Sequence, residues 1–100
     1  MTDNYSEALY AKGRTEFSLK QLSAAEKTFS ELVRVYPDNE DAYAALFALY
    51  EAKEGRELAV QKLVGLANRN AIIEPLVVLI KRYLASGELE EARGYYQQAQ

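Results

Sequence analysis

One pattern constrains the fold of this chain more than any other: selected residues recur after 34 positions and again after 33. Six sets of residues share this spacing: Ala25, Ala59 and Ala92; Phe29, Leu63 and Tyr96; Leu32, Leu66 and Ala99; Leu9, Tyr43 and Leu76; Tyr50 and Tyr83; Leu46 and Leu79. Agreement of six sets on one period indicates three copies of a single structural unit. The chain is therefore predicted to be a short repeat array.

Each unit is predicted to contain two helices. Ala, Leu, Glu, Lys and Gln dominate, and Pro occurs only at positions 37 and 75, which favours helix. Helix-breaking stretches occur at 19–21, 36–39, 54–56, 68–70 and 86–87. They divide the chain into six helices of about eleven to sixteen residues, and such short connections make successive helices antiparallel neighbours. The single-residue deletion in the period is predicted to lie in the turn at 68–70.

Several predicted helix starts have chemical support. Asp38 or Asn39 can accept a hydrogen bond from the first free amide groups of the third helix. Ser23, followed three residues later by Glu26, predicts a capping box at the second helix. Pro75 suits the first turn of the fifth helix, because the amide hydrogen that proline lacks has no helical partner there.

The small and large residues of each unit predict how its helices pack. A small residue such as Ala25 lets two helices approach closely, and a large one four positions later, Phe29, fills the adjacent gap. One hairpin cannot bury its apolar face alone, so the three hairpins are predicted to stack into a solenoid.

A two-helix unit of 34 residues with this pattern and a terminal proline resembles the tetratricopeptide repeat (TPR). The matching residues are Leu9, Gly13, Ala25, Phe29 and Pro37; then Tyr43, Leu46, Tyr50, Ala59 and Leu63; then Leu76, Leu79, Tyr83, Gly87, Leu89, Ala92, Tyr96 and Ala99. The resemblance covers residues 6–100. It implies an all-α, right-handed α-solenoid of three TPR-like hairpins (six helices), forming one domain over 1–100 with repeats at 6–39, 40–72 and 73–100. Lys12 and Glu16 depart from the family pattern, which has large apolar residues there, and Ala71 replaces the terminal proline.

Composition argues against several classes of function. The chain has no cysteine and no histidine, so thiolate catalysis, disulfides and imidazole-based zinc sites are excluded. The net charge is −3 and the basic residues are scattered, so no nucleic-acid partner is expected. The N-terminus does not resemble a secretory signal, and the apolar stretch at 72–80 is too short to cross a bilayer. A cytoplasmic protein without membrane insertion is expected.

No catalytic, metal-binding or cofactor-binding site is predicted. Asp38, Glu40 and Asp41 form an acidic cluster, but they lack the oxygen spacing, the glycine and the distal glutamate of a calcium loop. Negative charge in the first turn of a helix explains them more simply. No pair of carboxylates stands in a pattern typical of acid–base catalysis, and no serine has an activating partner. We expect a protein that is not an enzyme.

The TPR resemblance implies a binding surface for a protein or peptide. In that family the first helix of each repeat lines a concave groove. The corresponding residues here are Tyr10, Arg14, Phe17, Asp41, Ala44, Ala48, Glu51, Val77, Lys81 and Leu84. Arg14 and Lys81 are expected to pair with carboxylates of the partner. The clamp with which related domains hold the C-terminal carboxylates of chaperones is not matched, since Tyr10, Ala45 and Val78 occupy its positions.

An alternative function is self-assembly. The predicted fifth helix is apolar around almost its whole circumference, and such a helix is normally covered on every side. Tyr95 and Tyr96 add aromatic surface to the last helix. The chain is therefore also interpreted as a scaffold that forms homo-oligomers through the fifth and sixth helices.

Overall fold

A computed structural model describes residues 4–100, and these residues form six α-helices joined by short turns. The helices are α1 (Asn4–Ser18), α2 (Leu22–Val35), α3 (Glu40–Glu54), α4 (Arg56–Asn70), α5 (Glu74–Ala85) and α6 (Leu89–Ala99). The described part of the chain contains no strand. The prediction of an all-helical chain with six helices is confirmed. None of the helices is both long and apolar enough to cross a membrane.

Each helix packs against the next one in the sequence, as expected for short connections. In addition, α1 packs on α3 and α3 packs on α5. The central helix α3 therefore contacts four others, and it has the most buried residues: Ala42, Tyr43, Ala45, Leu46, Phe47, Leu49 and Tyr50. The core of the molecule lies around α3. Within the described residues, α6 packs only on α5.

The repeat period agrees with burial. Ala25, Ala59 and Ala92 are buried at equivalent positions of the three hairpins, where two helices meet closely. The two inter-hairpin connections differ by one residue, since residues 36–39 join α2 to α3 whereas residues 71–73 join α4 to α5. This difference accounts for the single deletion in the period.

Two local predictions at helix starts are confirmed and one is wrong. The Asn39 side chain accepts a hydrogen bond from the Ala42 amide at 3.2 Å, and Pro75 lies in the first turn of α5. The predicted capping box of Ser23 and Glu26 does not form, because α2 begins at Leu22 and Ser23 is already inside its first turn.

The predicted turn at 68–70 is also wrong, because α4 continues through Asn70. The Asn70 side-chain amide donates to the Leu66 carbonyl of the preceding turn at 3.1 Å. Ala71 then adopts a left-handed conformation with φ 54° and ends the helix. Alanine is an unusual residue at such a position, which glycine normally occupies.

The first hairpin replaces an apolar contact with a polar one. The Thr28 hydroxyl donates to Glu16 at 2.6 Å, and the Lys12 ammonium donates to Glu16 at 3.0 Å and to Thr28 at 3.2 Å. Next to this cluster the helices approach closely, because Gly13 leaves room for the Phe29 ring. Lys12 and Glu16, which depart from the TPR pattern, thus form hydrogen bonds with each other and with the buried Thr28.

Candidate functional site

A cleft of about 720 Å³ lies between α1 and α3, next to the turn from α1 to α2. It is lined by Tyr10, Arg14, Phe17, Ser18, Lys20, Leu22, Ala44, Ala45, Ala48 and Ala52. We refer to this surface as the α1/α3 cleft. Its volume is in the range of pockets that bind small molecules or side chains of a partner.

The floor of the α1/α3 cleft consists of alanine side chains. Ala44, Ala48 and Ala52 are four residues apart along α3 and therefore lie on one face of that helix. Ala45 borders the same face. With only methyl groups above the α3 backbone, a side chain of a partner can lie close to the helix axis.

The walls of the cleft are apolar side chains on rigid elements. Tyr10 and Phe17 come from α1, and Leu22 comes from the first turn of α2. All three side chains are partly buried, so each one packs against the protein on one side and exposes apolar surface on the other. Behind Tyr10 lies the fully buried ring of Phe29, with 6.2 Å between the two ring centroids.

Two cations border the cleft. The Arg14 guanidinium donates to the Tyr10 hydroxyl at 3.0 Å and lies 5.5 Å from the centroid of that ring, which holds the charge at the wall. Lys20 stands in the turn after α1 and has a left-handed backbone with φ 63°. Neither residue forms an ion pair with a carboxylate of the described chain.

No carboxylate lines the cleft. Glu16 accepts hydrogen bonds from Thr28 and Lys12. Both bonds lower the pKa of its carboxyl group, and the bond from Thr28 has the larger effect. Glu51 pairs with Arg82 of α5 at 2.9 Å. The cleft is therefore locally positive in a chain whose net charge is negative.

The structure brings half of the predicted groove residues together. Tyr10, Arg14, Phe17, Ala44 and Ala48 all line the α1/α3 cleft. The other five do not line it: Asp41, Glu51, Val77, Lys81 and Leu84. Asp41, Lys81 and Leu84 are exposed, whereas Glu51 and Val77 are partly buried.

Ion pairs link α3 to α5 at the predicted groove residues outside the cleft. Lys81, expected to bind a carboxylate of the partner, instead donates to Glu40 at 2.6 Å across α3 and α5. Glu51 and Arg82 make a second link between the same two helices. These bridges occupy the charged groups that α5 presents toward α3.

Sequence reasoning missed five lining residues of the cleft: Ser18, Lys20, Leu22, Ala45 and Ala52. Ala52 was predictable, because it follows Ala44 and Ala48 at helical spacing. Lys20 and Leu22 were not, because they line the cleft only through the angle at which α2 leaves the turn.

One residue of the acidic cluster at the start of α3, Glu40, has a partner within the fold. Glu40 pairs with Lys81, and Asn39 caps the helix beside it. Among residues 4–100, no group of three or more carboxylates lies close enough together to hold a metal ion.

Comparison with known proteins gives no relative from which a role for the cleft could be transferred. No family model, no curated protein and no solved structure matches the chain. A functional conclusion therefore depends on the geometry and chemistry of the α1/α3 cleft itself.

Proposed function

We propose that this chain is a TPR-like solenoid of three helical hairpins that acts as a non-catalytic, cytoplasmic interaction module. Its α1/α3 cleft binds a helix or an extended peptide of a partner protein. Binding of this kind needs no cofactor. A few apolar anchors enter the cleft and contribute most of the binding energy, as is usual for recognition of short segments.

The observation that carries the proposal is the composition of the cleft. An alanine floor beside Tyr10, Phe17 and Leu22 offers apolar surface in a concave shape. Helices hold every one of these residues, so the surface is preorganised and little conformational entropy is lost when a partner binds.

The charge of the cleft supports a more specific partner. Arg14 and Lys20 lack an internal carboxylate, and no acidic residue lines the cleft to compensate them. A partner segment with large apolar residues at helical spacing and a carboxylate at one edge fits this surface. A basic segment is disfavoured, because it would bring like charges together.

Selection from a phage-displayed library of random helical peptides tests this function. We expect enrichment of peptides that combine two or more large apolar residues with Asp or Glu. Ala44→Trp should fill the cleft and weaken binding of a selected peptide by about tenfold or more, measured by fluorescence anisotropy. Gln61→Trp, which places the same side chain on the exposed face of α4, is the matched control.

Charge reversal separates the roles of the cations. The double variant Arg14→Glu and Lys20→Glu should bind the selected acidic peptide more weakly. Lys81→Glu should leave the affinity for that peptide nearly unchanged, because Lys81 lies outside the cleft. Enrichment of basic peptides, or equal affinity of the Ala44→Trp and Gln61→Trp proteins, would contradict the proposal.

A further inference from the structure

The outer face of the last hairpin carries three large apolar side chains that are mostly exposed. Leu84 of α5 is 53% exposed, Leu89 of α6 is 64% exposed, and Tyr96 of α6 is 56% exposed. We call these three residues the tail face. No helix of the described chain covers them, since α6 packs only on α5.

In the first hairpin, the equivalent positions face the next helix. The repeat spacing relates Leu84 to Phe17, Leu89 to Leu22, and Tyr96 to Phe29. Phe17 and Leu22 line the cleft opposite the alanines of α3, and Phe29 is fully buried. The first hairpin therefore places Phe17 and Leu22 opposite α3 and buries Phe29.

In the second hairpin, two of the same positions contact the third hairpin directly. Glu51, equivalent to Leu84, pairs with Arg82 of α5. Arg56, equivalent to Leu89, donates to Glu88 at 2.5 Å. Leu63, equivalent to Tyr96, is fully buried. Two of the tail-face positions, those of Leu84 and Leu89, thus face the following hairpin twice inside the chain, and the third, that of Tyr96, is buried both times.

The opposite end of the molecule presents the complementary half of that interface. One stripe of α3 is buried and consists of Ala42, Ala45 and Leu49. Within this stripe, Ala45 lies across the cleft from the first hairpin. Their equivalents on α1 are Ala8, Ala11 and Thr15, and all three are exposed. We call these three residues the head face.

We propose that the chain associates head to tail, with the head face of one copy docked on the tail face of another. The contact would continue, between two molecules, the packing that α3 makes on the first hairpin and α5 makes on the second. Its two halves are different surfaces, so the interface is heterologous, and each copy keeps one free half for a further copy.

The charges near the two faces do not oppose this contact. Inside the chain, Lys53 of α3 pairs with Glu26 of α2 at 2.8 Å. The equivalent positions at the two ends are Leu19 on the head side and Arg93 on the tail side. An apolar residue next to a single charge produces no repulsion, so the association is mainly apolar and depends weakly on salt.

Sedimentation velocity over a range of protein concentrations tests the proposal. The wild-type protein should show a weight-average sedimentation coefficient that rises with concentration, and the rise should persist in high salt. Tyr96→Glu on the tail face and Ala11→Glu on the head face should each weaken association by about tenfold or more, because each buries an unpaired charge at the contact. Leu58→Glu, which places the same charge at an exposed leucine outside both faces, is the control and should behave like wild type.

A mixture of the two variants distinguishes head-to-tail contact from any symmetric one. The Tyr96→Glu protein keeps a functional head face, and the Ala11→Glu protein keeps a functional tail face. We expect the mixture to form dimers that do not grow further, whereas each variant alone stays monomeric. Circular dichroism of each variant checks that the helices are retained.

Two results would overturn the proposal. A wild-type protein that stays monomeric at every concentration would show that the tail face serves another partner or a further repeat. Loss of association in Tyr96→Glu but not in Ala11→Glu would show that two tail faces meet each other.

Discussion

The first and third hairpins bring their two helices together at the same pair of repeat positions with entirely different chemistry. In the first, Glu16 accepts a hydrogen bond from Thr28 at 2.6 Å. In the third, the rings of Tyr83 and Tyr95 stack with centroids 5.6 Å apart and planes 14° apart. The second hairpin is different again: at these positions the Lys62 ammonium lies 4.7 Å from the centroid of the Tyr50 ring.

This difference shows which part of the repeat is constrained. The period determines which positions meet, and it leaves the kind of contact open, provided that buried polar groups are paired. Thr28 is only 5% exposed, so its hydroxyl requires the partner that Glu16 supplies. The two hairpins should therefore respond differently to substitution and to pH.

The largest expected contrast is between Phe29 and its third-hairpin equivalent, Tyr96. Phe29→Ala should lower the free energy of unfolding by about 3–5 kcal/mol, because it leaves a cavity in the core. Tyr96→Ala should lower it by less than about 1 kcal/mol, because that side chain is mostly exposed. Urea denaturation of dilute protein measures both. Similar losses would contradict the difference in burial between these two side chains.

A smaller contrast concerns two glycines inside helices. An added Cβ at Gly13 would lie 2.5 Å from the Phe29 ring, which is fully buried and cannot move away, so Gly13→Ala should destabilise the protein by about 1–3 kcal/mol. A Cβ at Gly94 meets nothing within 4 Å, and Gly94→Ala should stabilise α6 by about 0.5–1 kcal/mol. Thermal unfolding gives the sign of each change. A stabilising Gly13→Ala would show that α1 and α2 are not in close contact there.

The smallest expected effect is a pH dependence specific to the first hairpin. Hydrogen bonds from Thr28 and Lys12 lower the pKa of Glu16 below its usual value of 4.5. The stabilisation is therefore complete above about pH 4.5 and is lost as the pH falls through the lower pKa of the folded state. Comparison of wild type with Glu16→Gln by urea denaturation should show a difference in stability that shrinks in acid.

Glu57→Gln is the control for the pH experiment, since Glu57 is exposed and forms no ion pair with another described residue. The free energy of unfolding of Glu57→Gln, plotted against pH, should run parallel to that of wild type. A difference between wild type and Glu16→Gln that is constant from neutral pH to pH 3 would contradict the role given to the carboxylate.

Much of the fold could be predicted from the sequence, because the period depends on residues that the core requires. The errors occurred where local signals competed. Asn68, Arg69 and Asn70 have the composition of a turn, but the Asn70 side chain bonds back to Leu66 and prolongs α4. Ser23 and Glu26 match a capping box, but the helix begins one residue earlier.

The candidate site was predictable only in part. The TPR resemblance implied that Tyr10, Arg14, Ala44 and Ala48 share one groove, and all four line the α1/α3 cleft. It could not reveal that Lys81 reaches Glu40, a residue 41 positions away, because ion pairs between helices depend on their crossing angles. For the same reason the sequence did not show that the predicted residues of α5 lie outside the cleft.

The central claim is that the α1/α3 cleft is the surface that binds a partner. The most direct test is a titration of the ¹⁵N-labelled protein with a selected acidic helical peptide, followed by amide chemical shifts. We predict that the largest changes occur at Phe17, Lys20, Ala44 and Ala48, with little change in α6. Changes concentrated in α5 and α6, with the α3 alanines unaffected, would contradict the account.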